Sequence, residues 1–320
     1  MAITAAAAGS RQVRIGLVLS QPLSRAGDPG EYLEFRGLLR AERKWGVQAK
    51  AVVPNPNFPF DAAPFDYLAR QHYDLVIATG YIGGLAEAGR RFSKVKFAAI
   101  DAARTDIGPR APANVEGTVF HSEQAAYLAG FVAARMADRR PPPHVVSSVG
   151  GIPIEQVQAL IAGFESGARR GDPKVKILRT YSGTFLNPAA CANAARIQID
   201  HGSEAVFDVA GGCGVGALEA AKSKGVYGIG VDTDQSWRGR FILTSVILNW
   251  DLAVYDLAKL VVQGRLPTGG DLSWDLRHHF VGLGKFSPQV PRSLRRESKH
   301  LAAQIEQGKI VVPTTVSARH

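Results

Sequence analysis

Apolar and polar positions fall into two alternating kinds of segment along the chain. Short, nearly unbroken apolar runs occupy 13–19, 48–53, 75–78, 97–100 and 115–120, then 144–149, 176–181, 205–209, 227–231 and 243–247. Runs of this kind, without polar alternation, suit parallel strands covered on both faces. Between them lie longer stretches whose apolar residues recur at helical spacing: 32–45, 65–71, 85–92, 125–136, 154–170, 188–199, 215–224 and 252–263, with a short helix at 301–307. In 32–45, for example, Leu33, Leu38 and Ala41 share one face and Gly46 stands just past the end, where a helix is readily terminated. Loops rich in Pro and Gly fill 21–30 and 55–64.

Strand and helix therefore alternate, which predicts parallel sheets with helices on both faces. The series restarts after a basic, Pro-rich break at 139–143. The expected fold class is α/β, with two doubly wound, Rossmann-like lobes. A length of 320 residues fits two domains. With 46% hydrophobic and 21% charged residues the chain can bury a sizeable core. No apolar run reaches the roughly 18 residues of a membrane span.

Charge changes the picture little. The net charge is +10, but Lys and Arg are scattered, with small knots at Arg139-Arg140, Arg169-Arg170 and 292–296. None is interleaved with aromatics as single-strand binders require, so a solvated basic surface is expected and no nucleic-acid partner. The Ala-rich opening, 1–12, reads as a disordered tail or the remnant of an export signal. The two cysteines, Cys191 and Cys213, form no metal-type Cys-x-x-Cys pair, and neither a metal nor a cofactor is expected.

In open α/β sheets ligands sit outside the carboxyl ends of the strands, so the residues following each run are the candidate site. They are Ser20-Gln21, Gly80-Tyr81, Asp101, Phe120-His121, Gly150-Gly151, 182–185, 211–214, Asp232 and 249–251. Glycines admit a ligand to the backbone, carboxylates accept hydrogen bonds from sugar hydroxyls, and aromatic rings offer a face to a flat ring. The set lacks the clustered base, nucleophile and orienting group of hydrolytic catalysis, which points to a binding protein and not an enzyme. Each residue also has a plainer reading. Asp101 and Asp232 could cap the next helix, Phe185 and Tyr81 could be core, and His121 could be an ordinary surface residue. The stretch from Gly211 to Gly216 reads as a glycine loop before a helix, with Asp232 at the next strand end. That supports an alternative, a NAD-dependent Rossmann oxidoreductase, although the glycines miss the full G-x-G-x-x-G spacing.

Several of these stretches resemble the basic membrane protein family, the purine-nucleoside receptors of bacterial ABC transporters. They are Ile15-Gly16-Leu17-Val18, 73–80, 96–101, 126–130, 163–168 and 181–185. The most specific are Ala210-Gly211-Gly212-Cys213-Gly214, Gly228 to Gln235, and Leu243-Thr244-Ser245-Val246. The resemblance implies a type I periplasmic-binding-protein fold whose chain crosses three times between lobes. One lobe would hold 13–123 and about 248–285, the other 124–247 and about 286–320. It implies a solute held in the cleft between lobes by Asp101, Phe185, Gly211, Gly212 and Asp232. It also implies an ABC permease as partner, a monomer, and a periplasmic or extracytoplasmic place with a lipid anchor in the precursor. A ligand-sensing regulator of the same fold is the other reading; no helix-turn-helix segment precedes Val13.

The chain departs from the family at two points. The Asp-Lys-Ser-Phe-Asn stretch after the first strand is replaced by Gly27 to Tyr32, where Tyr32 could supply the stacking ring. The site lysine is replaced by Leu248, followed by Asn249 and Trp250, which removes a cation and adds a ring face. The expected ligand is a purine nucleoside or a related nucleobase or aromatic polar metabolite, with Tyr81 as a further contact. Cys191 starts a helix whose first turn lies near the strand end holding Cys213. The pair reads either as a disulfide suited to an exported protein or as two buried thiols.

Overall fold

The computed structural model describes residues 11–20, 23, 29–55, 61–80, 82–139 and 141–316. The elements run β1 (Arg14–Val18), α1 (Pro29–Trp45), β2 (Gln48–Val52), α2 (Ala63–Arg70), β3 (Leu75–Ala78), α3 (Leu85–Arg91), β4 (Lys96–Ala99), α4 (Arg104–Ile107) and β5 (Val115–Phe120). They continue with α5 (Ser122–Ala137), β6 (Val145–Gly150), α6 (Glu155–Gly171), β7 (Lys176–Tyr181), α7 (Pro188–Asp200), β8 (Ala205–Val209), α8 (Gly211–Ser223) and β9 (Tyr227–Gly230). After a 3-10 turn at Ser236–Arg238 come β10 (Ile242–Leu248), α9 (Trp250–Val262), β11 (Asp271–Trp274), β12 (Val281–Leu283) and α10 (Arg292–Glu306). Among the described residues no helix is long and apolar enough to cross a membrane.

The chain divides into two compact units. The first is built on β1 with Leu33–Val119 and Asp251–Leu272; the second on Phe120–Trp250 and the described parts of Ser24–Tyr32 and Ser273–His320. The first unit's sheet has the order β11-β5-β4-β3-β1-β2, and the second's β12-β10-β9-β8-β6-β7. The two orders correspond strand for strand. The pairs β1 with β2 and β3, β3 with β4, and β4 with β5 are parallel, as are β6 with β7 and β8, β8 with β9, and β9 with β10. The doubly wound expectation is therefore met. The returning stretch expected over about 248–285 is shared between the sheets. β11 joins the first, whereas β12 pairs antiparallel with β10 in the second.

Burial explains why some strands read clearly. Central strands are covered on both faces, so β3 (LVIA) and β8 (AVFDV) are buried throughout. The edge strands β2 (QAKAV) and β7 (KILRTY) keep one side toward solvent and carry polar residues. Asp208 is the exception inside β8, a carboxylate with 1% of its surface exposed.

Two of the family-like stretches turn out to be a helix contact. α5 and α6 approach so closely that a Cβ on Gly130 would strike the Phe164 carbonyl. One on Gly163 would strike that of Glu123, and one on Gly167 that of Tyr127. These glycines are packing residues and not ligand contacts. Gly167→Ala should therefore force the helices apart and lower stability by about 2 kcal/mol, read as a shifted urea midpoint. An unchanged midpoint would show that the contact is loose.

Candidate functional site

In a doubly wound sheet the crevice opens where the chain switches direction, between β1 and β3 in the first unit and between β6 and β8 in the second. Gly80 and Gly211 follow strands at these points; Asp101, Asp232 and Asn249 follow β4, β9 and β10, farther along each sheet.

In the first unit β4 runs into Asp101, which adopts the left-handed region at φ 52°. Its amide donates to Thr118 Oγ1 (3.0 Å), and that hydroxyl donates to Ala99 O (2.7 Å). The next helix is begun by Ala103, whose amide donates to Asp106 Oδ2 (3.0 Å), so Asp101 is not its cap. Gly80 follows β3 at φ 62°. Tyr32, half-buried in the first turn of α1, belongs to the second unit, and Tyr81 lies outside the described residues.

In the second unit β9 runs through Val231 into Asp232, which also has positive φ, 65°. The turn is closed by Thr233 N donating to Val231 O (2.8 Å) and Leu248 N donating to Asp232 O (3.1 Å). The following 3-10 turn starts from Gln235, so Asp232 is not a cap either. Asp101 and Asp232 thus occupy the same place in the two sheets, each after the fourth strand of its winding, and both are half-buried. A non-glycine residue held in this conformation costs on the order of 1 kcal/mol, eased for Asp by its short polar side chain. Such outliers gather where a side chain must be aimed.

Phe185, Gly211 and Gly212 are brought together. The Phe185 ring lies against Gly151, at the end of β6, where any Cβ would collide with it. A Cβ on Gly211 would stand 3.8 Å from the same ring, and Phe185 O accepts from Cys213 N (2.8 Å). Gly211 and Gly212 are exposed and open the first turn of α8. Cys213 N is taken by Phe185 O, while the amides of Gly211 and Gly212 stand at the positive end of the helix dipole. The stretch expected to form a loop is therefore the start of α8, entered through Gly211 at φ 52°. Gly214 is required because a Cβ there would collide with Asp208, and Gly216 because one would strike Pro188 O.

Cys191 and Cys213 form a disulfide with Cα atoms 5.6 Å apart, both fully buried, tying the first turn of α7 to that of α8. Asn249 donates through Nδ2 to His279 O (2.5 Å) and through its amide to Phe280 O (2.8 Å). Trp250 packs edge-on to Phe120, centroids 4.9 Å apart, and its indole nitrogen is buried without a hydrogen-bond partner among the described residues. Phe120 in turn meets Trp274, which stacks on Phe280. His121 Nδ1 lies 3.0 Å from Glu123, whose hydrogen bond raises the imidazole pKa against the lowering effect of burial.

Sequence reading missed Asp208, buried beneath two of these turns, and the exposed Leu186 and Trp237, which follow β7 and β9. An acid within an apolar strand was the available signal for the first; nothing marked the other two. Asp138, His144 and Asp172 also cluster, with His144 Nδ1 at 3.4 and 3.0 Å from the two carboxylates, but at the opposite end of β6. They already pair with one another. A cavity of about 940 Å³ along β7, walled by Glu165, Arg179 and Gln198, is likewise away from the strand ends.

Two doubly wound sheets of this order define the fold of the type I periplasmic binding proteins. A solute-binding protein of an ABC transporter system from Aeropyrum pernix K1 shares it with a TM-score of 0.78 at 22% identity, over 94% of each chain. A transcriptional activator of the comK gene from Bacillus halodurans shares it at 0.77 and 21%, over 94% of this chain and 99% of that one. The family model described as "ABC transporter substrate-binding protein PnrA-like" matches residues 37–316, and the chain belongs to this basic membrane protein family. Basic membrane protein A1 of Borrelia garinii subsp. bavariensis is 31% identical over 69% of this chain, which spans 65% of that relative's length. Basic membrane protein B of the same organism is 33% identical, over 78% of this chain and 74% of that one.

Proposed function

We propose that the chain is the solute-binding receptor of an ABC importer. It acts outside the cytoplasm with an ABC permease as partner, and it binds a purine nucleoside, or a related nucleobase or aromatic polar metabolite, without altering it. The observation that carries this reading is the pair of left-handed aspartates, Asp101 and Asp232, at equivalent strand ends, the second in one unit with the Phe185–glycine platform. Family membership supports the transport role.

The chemistry fits a nucleoside in parts. An ionised carboxylate accepts two ribose hydroxyls, which suits Asp232. The Phe185 ring offers a face to the base, and the first turn of α8 supplies amide donors to its acceptors. With Leu248 in place of a lysine, no cation is offered after β10, which favours a neutral ligand over a nucleotide.

A thermal-shift panel of nucleosides, nucleobases, free sugars and dinucleotides tests the reading. A specific ligand at 100 times its Kd adds about 2.7 kcal/mol, a rise in Tm of about 5 °C. Purine nucleosides should give that rise and NAD none. A panel in which no purine compound shifts the transition would defeat the nucleoside assignment. A shift with NAD alone would favour the oxidoreductase.

A further inference from the structure

Asp208 lies in the middle of the second sheet, paired in register with Val149 of β6, and its carboxylate is enclosed on the α8 side by Gly214. It accepts a hydrogen bond from Ala210 N (Oδ1, 3.1 Å), and the Gln235 side chain lies beside it. Ala210 leads directly into Gly211 and Gly212. Gln235 is itself buried and fastens the other turn, donating through Nε2 to Val231 O (3.2 Å) and through its amide to Ser245 Oγ (3.0 Å). Arg238 Nε donates to Gln235 Oε1 (2.7 Å), and its guanidinium lies 3.6 Å from Glu219 on α8. Among the described residues Arg238 is the charged group that acts on Asp208. One buried carboxylate therefore adjoins the two segments that hold Gly211-Gly212 and Asp232, the first through the Ala210 hydrogen bond and the second through the neighbouring Gln235 side chain.

We propose that Asp208 is a positioning residue for the ligand: its ionised carboxylate holds the Ala210 turn by a hydrogen bond and orients the Gln235 side chain beside it, so that affinity rises and falls with the protonation of this group. This rests on the reading that those turns meet the ligand. Burial pushes the Asp208 carboxyl up to about 7, against the lowering effects of the Ala210 amide, Arg238 and Gln235. Above that pH the Ala210 amide and the Gln235 side chain face a full negative charge. Below it the carboxyl is neutral, and its hold on both weakens.

The effect on stability has the opposite sense. An acid whose pKa is raised on folding binds its proton more readily when folded, so its contribution to stability falls as pH rises from about 4 to about 7 and is level above. Asp208→Asn, which resembles the protonated acid, should thus be at least as stable as the parent at pH 8 while binding more weakly. A merely structural residue would lose both together.

The test is calorimetric titration with adenosine, which does not itself titrate between pH 5.5 and 8.5. It is run on the parent and on Asp208→Asn alongside amide NMR of the ligand-free parent. The parent's affinity should drop about tenfold as pH falls through this range, the effect of one charge-assisted hydrogen bond. The variant should be flat and about tenfold weaker at pH 8.5. The Ala210 and Gln235 amide shifts of the parent should titrate together. A variant that keeps the parent's pH slope, or parent amides that do not titrate, would overturn the proposal. If the amides titrate but adenosine binds at no pH, the pinning stands and the nucleoside reading fails.

Discussion

Asp232→Ala is expected to weaken adenosine binding by at least about 100-fold while leaving adenine within about threefold. In the proposed role the carboxylate takes two hydroxyl donors from a ribose, and hydrogen bonds to an ionised acceptor contribute about 1.5–3 kcal/mol each. Adenine has no ribose and forfeits neither bond. The φ of 65° at Asp232 matters to the design of the control. Alanine is strained in that conformation, so weak binding alone does not separate a lost carboxylate from a moved turn. Asp232→Asn keeps the shape and tolerates the left-handed region, and it should fall between parent and alanine for adenosine. Titration of each protein with both compounds decides the matter. Equal losses for adenosine and adenine would mean that Asp232 shapes the turn and does not contact a sugar.

The second large effect concerns the disulfide. Removing it as Cys191→Ala with Cys213→Ala should cost about 3 kcal/mol, since a cross-link between residues 22 apart in sequence restricts the unfolded chain by about that much. Both sulfurs are fully buried, so the parent should resist mild reductant and show no free thiol until it is unfolded and reduced. Ligand binding should weaken too, because Cys213 N holds the Phe185 carbonyl and the bridge fixes the turn that carries both Phe185 contacts. A thiol assay in denaturant without reductant gives the direct answer. Two titratable thiols there would refute the bridge, and an unchanged urea midpoint in the double variant would show that it adds nothing to stability.

Much of the fold is legible in the sequence because central parallel strands are buried on both faces. Residues 75–78 and 205–209 can be read off as apolar runs that match β3 and β8. Helix starts are less legible. α1 begins at Pro29 and α5 at Ser122, three residues before each apolar pattern becomes evident, because first turns are set by Pro, Ser and acidic residues and not by the core-facing stripe. The glycines from 211 to 216 look like a loop on propensity alone. They are helical because close neighbours, the Asp208 carboxylate and the Pro188 carbonyl, leave room for nothing larger at 214 and 216. Glycines 130, 163 and 167 carry a family resemblance but serve a helix contact. That distinction depends on which backbone lies across from them. The strand-end positions of Asp101 and Asp232 were visible; their shared left-handed backbone was not, since no local sequence signal distinguishes an aimed aspartate from a helix cap.

The most direct test of the account is isothermal titration of ligand-stripped protein with adenosine, inosine and guanosine, with ribose and free bases as controls. The account predicts saturable one-to-one binding of at least one nucleoside, tighter than its base and its sugar separately. Binding of a free sugar with no response to any nucleoside would contradict it.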